Sequence, residues 1–531
     1  MSKRWWEAGV VYQVYPRSFQ DSDGDGVGDL RGVIRRLDHI ADLGVDAIWL
    51  SPIFPSPMAD FGYDVADYTD VDPLFGSLAD LDALIAAAHV RGLKLLLDFV
   101  PNHSSDRHPW FVDSRSSRDA AKRDWYIWRD PAPDGGPPNN WTSDFGGSSW
   151  EHDPATGQYH HHAFLKEQPD LNWRNPKVRL AMLDIMRFWL DRGVDGFRID
   201  VLWHILKAPD FPDNPSNPDY RPDMGEKFAV LQRHSTDQPG IHAIIAEMRA
   251  LADGYDGGDE RVLIGEVCLP LPRMTAYYGE RGTGGLGGIH LPFNFELVES
   301  AWDARAIARF IDRYEAALPS GGWPNWVLGS HDAPRVAGRL GERQARVAAM
   351  LLLTLRGTPT LYQGDEIGIG HVDIPPDRLR DPRELREPGL GLGRDPARTP
   401  MAWDASSSGG FSTGDPWLPL HADWPTRNVA TQSADPASML TLHRRLLRLR
   451  RAHPALAAGA YAGVEAEGDL LAYRRIGEGE EWLVLLNLGE QSRPVPDIAA
   501  GFAPVLSTLS GDLPSSLTLL RPDEGLLLLR R

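Results

Sequence analysis

The chain has 531 residues, with 55 Lys or Arg against 74 Asp or Glu, and a formal net charge of −19 at pH 7. Such an acidic chain argues against nucleic acids and anionic membranes as partners and suits a neutral substrate. The length is too great for one ordinary hydrophobic core and suits a large barrel accompanied by smaller domains.

The cysteine content and the N-terminal sequence bear on the cellular compartment. Cys268 is the only cysteine, so the chain offers neither an intrachain disulfide nor a thiolate metal cluster. The N-terminus shows no apolar stretch typical of a signal peptide, and no window approaches the roughly 20 apolar residues of a membrane span. We therefore expect a cytoplasmic protein, and the choice between a monomer and a small homo-oligomer stays open.

Short apolar runs alternate with helical periodicity along most of the chain, which predicts an α/β fold. The predicted strands are residues 10–19, 47–53, 93–100, 196–201, 261–267, 290–295, 326–332 and 358–363. Eight strands with intervening helices indicate a (β/α)8 TIM barrel. In such barrels, polar residues at the carboxyl ends of the strands are typical of an active site.

Two segments interrupt this alternation, and a third follows it. Residues 104–172 are rich in Trp, Pro, Gly, Asn and His and show no clear helix, so we expect an inserted domain after the third strand. It would separate barrel residues 1–103 from barrel residues 173–455, and residues 364–430 would form a lid-like excursion. Residues 456–531 alternate apolar runs with turns, which predicts a C-terminal antiparallel β-sandwich domain.

Residues 21–29 form an acidic, glycine-rich loop that predicts a cation site. Clustered carboxylates repel one another unless a cation neutralises them, which favours a metal over a solvated acidic turn. Oxygen ligands on a flexible loop suit Ca²⁺, with Mg²⁺ as the second choice. Gly32 stands where an EF-hand would carry Glu, so the expected role is structural. The predicted ligands are the carboxylates of Asp21, Asp23, Asp25 and Asp29 and the carbonyl of Val27.

Arg198 and Asp200 alternate with apolar residues in the fourth predicted strand, so they share one face of it. A guanidinium about 6–7 Å away along a strand is expected to lower the pKa of the carboxyl group and keep it ionised. An ionised, fixed carboxylate can act as a nucleophile. A structural ion pair at the strand end is the alternative.

Two further carboxylates end predicted strands. Glu266 lies at the end of the fifth strand and Asp332 at the end of the seventh, so both should meet Asp200 at the barrel mouth. Two carboxyl groups across a scissile bond are what glycosidic cleavage requires. Glu266 is flanked by Gly265 and Val267, and an apolar setting would raise its pKa, which suits an acid/base.

The motifs at these strand ends resemble glycoside hydrolase family 13, the α-amylase superfamily. The matching segments are Asp98-Phe-Val-Pro-Asn-His103, Gly196-Phe-Arg-Ile-Asp-Val201, Ile264-Gly-Glu-Val267 and Ser330-His-Asp332. Other segments resemble bacterial α-glucosidases of the oligo-1,6-glucosidase type. They are Tyr12-Gln-Val-Tyr-Pro-Arg-Ser-Phe19, Phe61-Gly-Tyr-Asp-Val-Ala-Asp-Tyr68, Gln168-Pro-Asp-Leu-Asn-Trp173 and Arg398-Thr-Pro-Met-Ala-Trp403.

The resemblance implies a role for each site residue. Asp200 corresponds to the nucleophile and Glu266 to the acid/base, and Asp332 corresponds to the third carboxylate, which binds sugar hydroxyls. The implied glucose-binding residues are Asp60, Tyr63, His103, Arg198, His331 and Arg398, with Phe145 and Phe164 as aromatic walls. Arg394 competes with Arg398 for the sugar contact. The chain departs from the family at Ser330, where Asn is more usual, and at Ala402, where Gln is common.

The implied activity is that of a retaining, exo-acting α-glucosidase. It would hydrolyse terminal α-glucosidic bonds of short oligosaccharides through a covalent glucosyl-enzyme. Val201 resembles members that prefer α-1,6 links, so isomaltose-like substrates are expected, with α-1,4 or α-1,1 links also accepted. The alternatives are a transglucosylase, a sucrose- or trehalose-acting isomerase on the same scaffold, and a non-catalytic carrier-associated protein. The last would lack the nucleophile or the acid/base, whereas all three carboxylates are present.

Overall fold

The computed structural model describes residues 4–255, 261–282, 285–293, 295–509, 513 and 518–531. Eight parallel strands form one sheet, and the strands at its two ends, the sixth and the seventh, lie side by side, which closes a barrel. The (β/α)8 prediction is therefore confirmed. Asn294, part of the predicted sixth strand, lies outside the described residues. The barrel strands are Val11–Val14, Ala47–Leu50, Lys94–Phe99, Gly196–Ile199, Val262–Glu266, Leu291–Phe293, Asn325–Val327 and Thr358–Tyr362.

Helices surround the barrel, and several of them begin at a residue whose side chain caps the first turn. The side chains of Ser77, Asn175, Asp303 and Ser438 each accept a hydrogen bond from a backbone N–H of the first turn. None of the helices within the described ranges is long and apolar enough to cross a membrane. The longer helices are Leu30–Arg35, Leu37–Leu43, Leu78–Val90, Pro176–Asp191, Ile241–Asp253, Ala304–Ala317, Val336–Thr354 and Met439–Ala452. Shorter ones are Trp5–Ala8, Leu271–Met274, Glu296–Glu299, Pro382–Arg386, Val429–Ala434 and Pro454–Ala458.

The segment after the third barrel strand contains a three-stranded antiparallel sheet, Trp128–Arg129, Gln158–His161 and Trp150–Asp153. It also contains the helix Pro109–Ser116, so the expectation of no clear helix in this segment is wrong. Proline occupies the first helical position, and the ring of His108 accepts a hydrogen bond from the N–H of Trp110 at 3.0 Å. The apolar residues 110–112 are consecutive and do not recur at helical spacing, so the sequence pattern does not predict this helix.

The C-terminal part is antiparallel, as predicted. Its five-stranded sheet has the order Ala460–Glu467, Leu470–Gly477, Glu480–Asn487, Gly525–Arg530, Phe502–Ser507. A second, two-stranded sheet pairs Arg493–Pro494 with Leu519–Leu520. Leu483 and Leu485 belong to an apolar cluster with Leu520 of the small sheet, whereas the alternate residues Trp482 and Val484 join the large core shared with the barrel helices. This alternation seats the C-terminal domain against the outside of the barrel.

Candidate active site

The fourth and fifth barrel strands bring Asp200 and Glu266 to the same edge of the sheet. Ile199 pairs with Gly265 in the parallel ladder, so Asp200 and Glu266, the residues that follow them, lie at the same level. The chain turns sharply after Asp200, because Val201 adopts the left-handed conformation with φ 36° and ψ 47°. That conformation is rare for a β-branched residue and costs on the order of 1–3 kcal/mol. The turn lets the N–H of Val201 donate to Oε2 of Glu266 at 3.2 Å.

Arg198 is fully buried and is shared by three carboxylates. Its guanidinium donates to Oδ1 of Asp98 at 2.9 Å, to Oδ1 of Asp200 at 2.6 Å, and to Oε2 of Glu266. Asp98 lies directly opposite Arg198 on the neighbouring third strand. The cluster therefore holds one cation among three carboxyl groups, rather than the single pair expected from the sequence.

Because three carboxylates share one guanidinium, the pKa of Asp200 depends on its neighbouring carboxylates as well as on Arg198. Burial raises the pKa of Asp200 well above its ordinary value, and Arg198 opposes this while Glu266 and Asp98 add to it. The expected lowering of the pKa of Asp200 by Arg198 is therefore wrong in its net direction. Burial also raises the pKa of Glu266, as expected, although Arg198 opposes that rise as well. A raised pKa means that each of these two carboxyl groups binds a proton more readily than an exposed carboxyl group does.

Asp332 has the opposite environment. Burial would raise its pKa, but contacts with His331, Arg398 and Arg394 outweigh this and hold the pKa well below its ordinary value. Oδ2 lies 3.0 Å from Nε2 of His331, and Oδ1 lies 2.8 Å from Arg398 and 3.3 Å from Arg394. Asp332 is therefore a permanent anion beside two carboxyl groups that readily hold a proton.

One end of the site is closed by charged pairs. Arg394 contacts Oδ1 of Asp60 at 2.7 Å and Oδ1 of Asp381 at 2.7 Å. Gln168 donates to Asp60 at 3.4 Å and lies 3.1 Å from Nε2 of His103. These polar groups form a buried floor that suits the hydroxyl groups of a sugar.

Aromatic rings complete the wall of this closed end. The hydroxyl of Tyr63 lies 3.0 Å from Asp98 and 2.7 Å from Nε2 of His331, and the Tyr63 and His331 rings stack at 5.4 Å. Phe145 and Phe164 meet edge to face at 5.7 Å, and Phe164 lies 5.2 Å from the His103 ring. Burial lowers the pKa of His103 and of His331 to about 4, so both imidazoles are neutral near pH 7.

A cavity of about 310 Å³ opens onto these groups. Among the predicted site residues, it is lined by Asp60, Tyr63, His103, Phe145, Phe164, Asp200, Glu266 and Asp332. Arg198, His331 and Arg398 are almost fully buried beneath that lining and fix the groups that form it. Arg394 lines the cavity and Arg398 does not, so Arg394 is the better placed of the two for a sugar contact, and the contact with Arg398 stays a prediction.

Sequence reasoning missed several groups that build the site. Asp98 shares Arg198, and Asp381 holds Arg394. The cavity is also lined by Asp144, Lys227 and Glu299, which come from three separate segments of the chain. A signal existed for Asp98, because it ends a buried strand next to the strand that carries Arg198. The residues from loops carry no periodic signal.

The predicted cation loop is partly assembled. The carboxylates of Asp21, Asp23 and Asp29 bring oxygens within 4.8 Å of one another, whereas Asp25 lies outside that group. Asp25 is exposed, and partial desolvation, with a smaller effect of the neighbouring carboxylates, raises its pKa. A Cβ at Gly26 would meet the carbonyl oxygen of Asp415 at 2.0 Å, so the loop is packed against residues 412–416. The donor set fits a hard cation such as Ca²⁺ or Mg²⁺.

Comparison with known proteins agrees with this geometry. The family model described as "Alpha amylase, catalytic domain" matches residues 13–459, and a domain of unknown function, DUF3459, matches residues 457–527. A probable α-glucosidase of Rhizobium meliloti is 44% identical over 92% of this chain and 90% of its own length. An oligo-1,6-glucosidase of Parageobacillus thermoglucosidasius is 39% identical over 93% of this chain and 92% of its own. The solved structure of an α-glucosyl transfer enzyme, XgtA, covers 100% of both chains with a TM-score of 0.93 and 39% identity.

These matches and the carboxylate cluster at the barrel mouth point to the same class of chemistry. The catalytic-domain match spans the barrel from within its first strand onward, including the strand ends that carry Asp200, Glu266 and Asp332. Buried carboxyl groups of contrasting environment at the carboxyl edge of a barrel suit the cleavage of a glycosidic bond. The chain therefore belongs to the α-amylase family of glycoside hydrolases.

Proposed function

We propose that this enzyme is a retaining, exo-acting α-glucosidase that removes terminal glucose from short α-linked oligosaccharides. One observation carries the proposal. Asp200 and Glu266 end neighbouring strands, share the guanidinium of Arg198 and face one cavity. Such a pair supplies the nucleophile and the acid/base of a double displacement.

In the first step, Glu266 in its protonated form gives its proton to the glycosidic oxygen while a carboxylate oxygen of Asp200 attacks C1 of the sugar. The C1–O bond to the leaving group breaks, and an ester between Asp200 and glucose forms. Arg198 remains bound to both side chains and balances the charge that moves from one to the other. Asp332, held as an anion, binds hydroxyl groups and stabilises the positive charge that develops at C1.

In the second step, Glu266 is a carboxylate and takes a proton from water. The water oxygen bonds to C1, the ester to Asp200 breaks, and glucose leaves with its original α configuration. Glu266 has regained its proton and Asp200 its charge. The raised pKa of Glu266 suits this alternation, because it helps the group to hold the proton that it donates in the first step and regains in the second.

The closed end of the cavity supports exo action. Asp60 and Arg394 block one direction with a buried ion pair, so the chain of a longer sugar has no room beyond the terminal unit. A sugar would therefore enter with its non-reducing end against this pair. Val201, which follows the nucleophile and lines the cavity, supports an α-1,6 preference by its resemblance to α-1,6-preferring members.

A transglucosylase is the second candidate. The similarity to a solved α-glucosyl transfer enzyme over the whole chain favours it. In that case a second sugar, rather than water, would accept the glucosyl group from Asp200. Both candidates share the first step and differ only in the acceptor.

The proposal is tested by incubating the enzyme with isomaltose, maltose, trehalose or sucrose and monitoring the products by ¹H NMR. The expected result is glucose release from the non-reducing end, fastest with isomaltose. Products longer than the substrate, increasing with sugar concentration, would identify the transglucosylase. Absence of both glucose release and transfer from all four sugars would overturn the proposal.

The 21–29 loop is proposed as a structural Ca²⁺ site, with Mg²⁺ as the alternative ion. Asp21, Asp23 and Asp29 would hold the ion, which would neutralise their charge and tie the loop to residues 412–416. Saturating Ca²⁺ at a hundred times its Kd should stabilise the fold by about 2.7 kcal/mol. We expect EDTA to lower Tm by a few degrees and Ca²⁺ to restore it.

Two variants sharpen this prediction. Asp23→Asn removes a carboxylate of the assembled group and should abolish the Ca²⁺-dependent rise in Tm. Asp25→Asn lies outside that group and should retain most of it. An unchanged Tm in EDTA, Ca²⁺ and Mg²⁺ would contradict a structural cation.

A further inference from the structure

Three loops from distant parts of the chain interlock beside the cavity wall. They are the turn 145–147 of the inserted segment, residues 225–226 after the fourth strand, and residues 386–387 of the long excursion after the eighth. We refer to them as the three-loop clamp. They surround the backbone of Phe145, whose ring lines the cavity.

A cycle of hydrogen bonds joins the clamp. Arg386 donates from Nε to the carbonyl of Phe145 at 3.1 Å and from a terminal nitrogen to the carbonyl of Gly146 at 2.8 Å. The N–H of Gly147 donates to Oε2 of Glu226 at 2.6 Å. The N–H of Glu226 in turn donates to Oε1 of Glu387 at 2.7 Å. Each loop is therefore tied to another by at least one bond to a charged side chain, a strong class of hydrogen bond.

The atoms around the clamp are also closely packed. A Cβ at Gly146 would lie 2.8 Å from Cδ of Glu387, and a Cβ at Gly225 would lie 3.0 Å from Leu392. Gly146 and Gly147 both have left-handed backbones, with φ of 80° and 77°. Two successive glycines have little conformational preference of their own, so the turn depends on its tethers for a fixed shape.

The clamp also connects the cavity wall to the closed end of the site. Arg386 ends the short helix Pro382–Arg386, and Asp381, which caps the start of that helix, binds Arg394. The guanidinium of Arg394 lies 4.9 Å from the ring centre of Phe145. The helix thus holds Arg394 at one end and the Phe145 turn at the other.

We propose that Arg386 and Glu226 are positioning residues, which hold Phe145 as the wall of the glucose-binding end of the cavity without touching the sugar. This inference rests on the proposed α-glucosidase function. Neither side chain lines the cavity, so each acts through the 145–147 turn. A wall contacts the sugar equally in the ground state and in the transition state, and its loss therefore raises KM more than it lowers kcat.

The experiment measures kcat and KM with 4-nitrophenyl α-D-glucopyranoside, together with amide hydrogen exchange of residues 145–147. Arg386→Ala should raise KM about tenfold, leave kcat within about threefold, and speed exchange in the turn at least about tenfold. Glu226→Ala should also raise KM and speed exchange in the turn, but by smaller factors. Glu226→Gln keeps an acceptor for the N–H of Gly147 and should restore KM to within about twofold of the wild type.

Arg378→Ala is the matched control. Arg378 lies in the same excursion and donates to the carbonyl of Pro416 and to the carboxylate of Asp415, both outside the inserted segment. Its KM and its exchange in the 145–147 turn should equal those of the wild type. An unchanged KM in Arg386→Ala, or equal losses in Glu226→Gln and Glu226→Ala, would overturn the inference.

The two proposals fail in different ways. A wild-type enzyme that does not cleave the α-glucoside would refute the proposed function, whatever the clamp does. An active wild type whose turn 145–147 exchanges at the same rate in Arg386→Ala would refute the clamp alone.

Discussion

Replacing Asp200 with asparagine should reduce kcat by at least about 10⁴-fold, because the amide cannot form the ester with C1. The fold should persist and Tm should stay level or rise. The reason is electrostatic: Arg198 faces three carboxyl groups, and burial raises the pKa of Asp200 well above its ordinary value. A neutral side chain of the same shape relieves that repulsion and can still accept a hydrogen bond from Arg198. Turnover of isomaltose checks the expected loss of kcat, and thermal unfolding checks the expected Tm.

Asp195→Asn is the matched control for this variant. Asp195 is a buried aspartate that immediately precedes the same strand, at the end remote from the cavity, where it pairs with Lys94 and Arg261. The substitution should lower Tm, since it weakens those pairs, and should leave kcat nearly unchanged. More than about 1% of wild-type turnover in Asp200→Asn would contradict the nucleophile assignment, with Asp195→Asn measured alongside as the control.

Glu266→Gln is the second change with a large expected effect. Glutamine cannot donate a proton to the leaving oxygen or take one from water, so kcat on isomaltose should fall about 10²–10⁴-fold. A substrate with a good leaving group, such as 4-nitrophenyl α-glucoside, needs no proton in the first step. With that substrate, the glucosyl-enzyme should form and accumulate, and burst kinetics should reveal it.

Azide provides the control for this variant. Azide is a nucleophile that requires no general base, so it should restore turnover of the nitrophenyl substrate by Glu266→Gln and yield the α-glucosyl azide. Asp200→Asn lacks the covalent intermediate and should not give that product. Equal losses on isomaltose and on the nitrophenyl substrate, without azide rescue, would show that Glu266 is not the acid/base.

The sequence was sufficient to predict the barrel and its strand ends. Apolar runs locate the strands, and parallel strands must carry their carboxyl ends to one edge, so Asp200, Glu266 and Asp332 meet there. The same alternation predicted that Arg198 and Asp200 share a face, and their contact at 2.6 Å confirms it.

The sequence was insufficient where an effect depends on neighbours from other strands. Asp98 and Glu266 both reach Arg198, and this turns an expected ion pair into a cluster with excess negative charge. The direction of the pKa shift of Asp200 depends on its burial and on charged groups from other strands. The sequence around Asp200 shows neither of these.

The positions of loop residues are even harder to predict from the sequence. Arg394 and Arg398 are four residues apart in a segment without periodicity, and nothing local ranks them. Their roles are set by tertiary partners: Asp381 and Asp60 draw Arg394 into the cavity wall, while the carbonyl of His331 holds Arg398 beneath it. The hydrogen bonds of the three-loop clamp likewise join residues up to 241 positions apart.

The central claim, a double displacement through Asp200, is tested most directly by the anomer of glucose that appears first from 4-nitrophenyl α-D-glucopyranoside, which releases a single glucose. ¹H NMR in the first minutes distinguishes the two anomers before mutarotation mixes them. Two successive inversions at C1 predict α-glucose as the first product. β-Glucose as the first product would mean that water attacks C1 directly, and it would contradict the covalent role of Asp200.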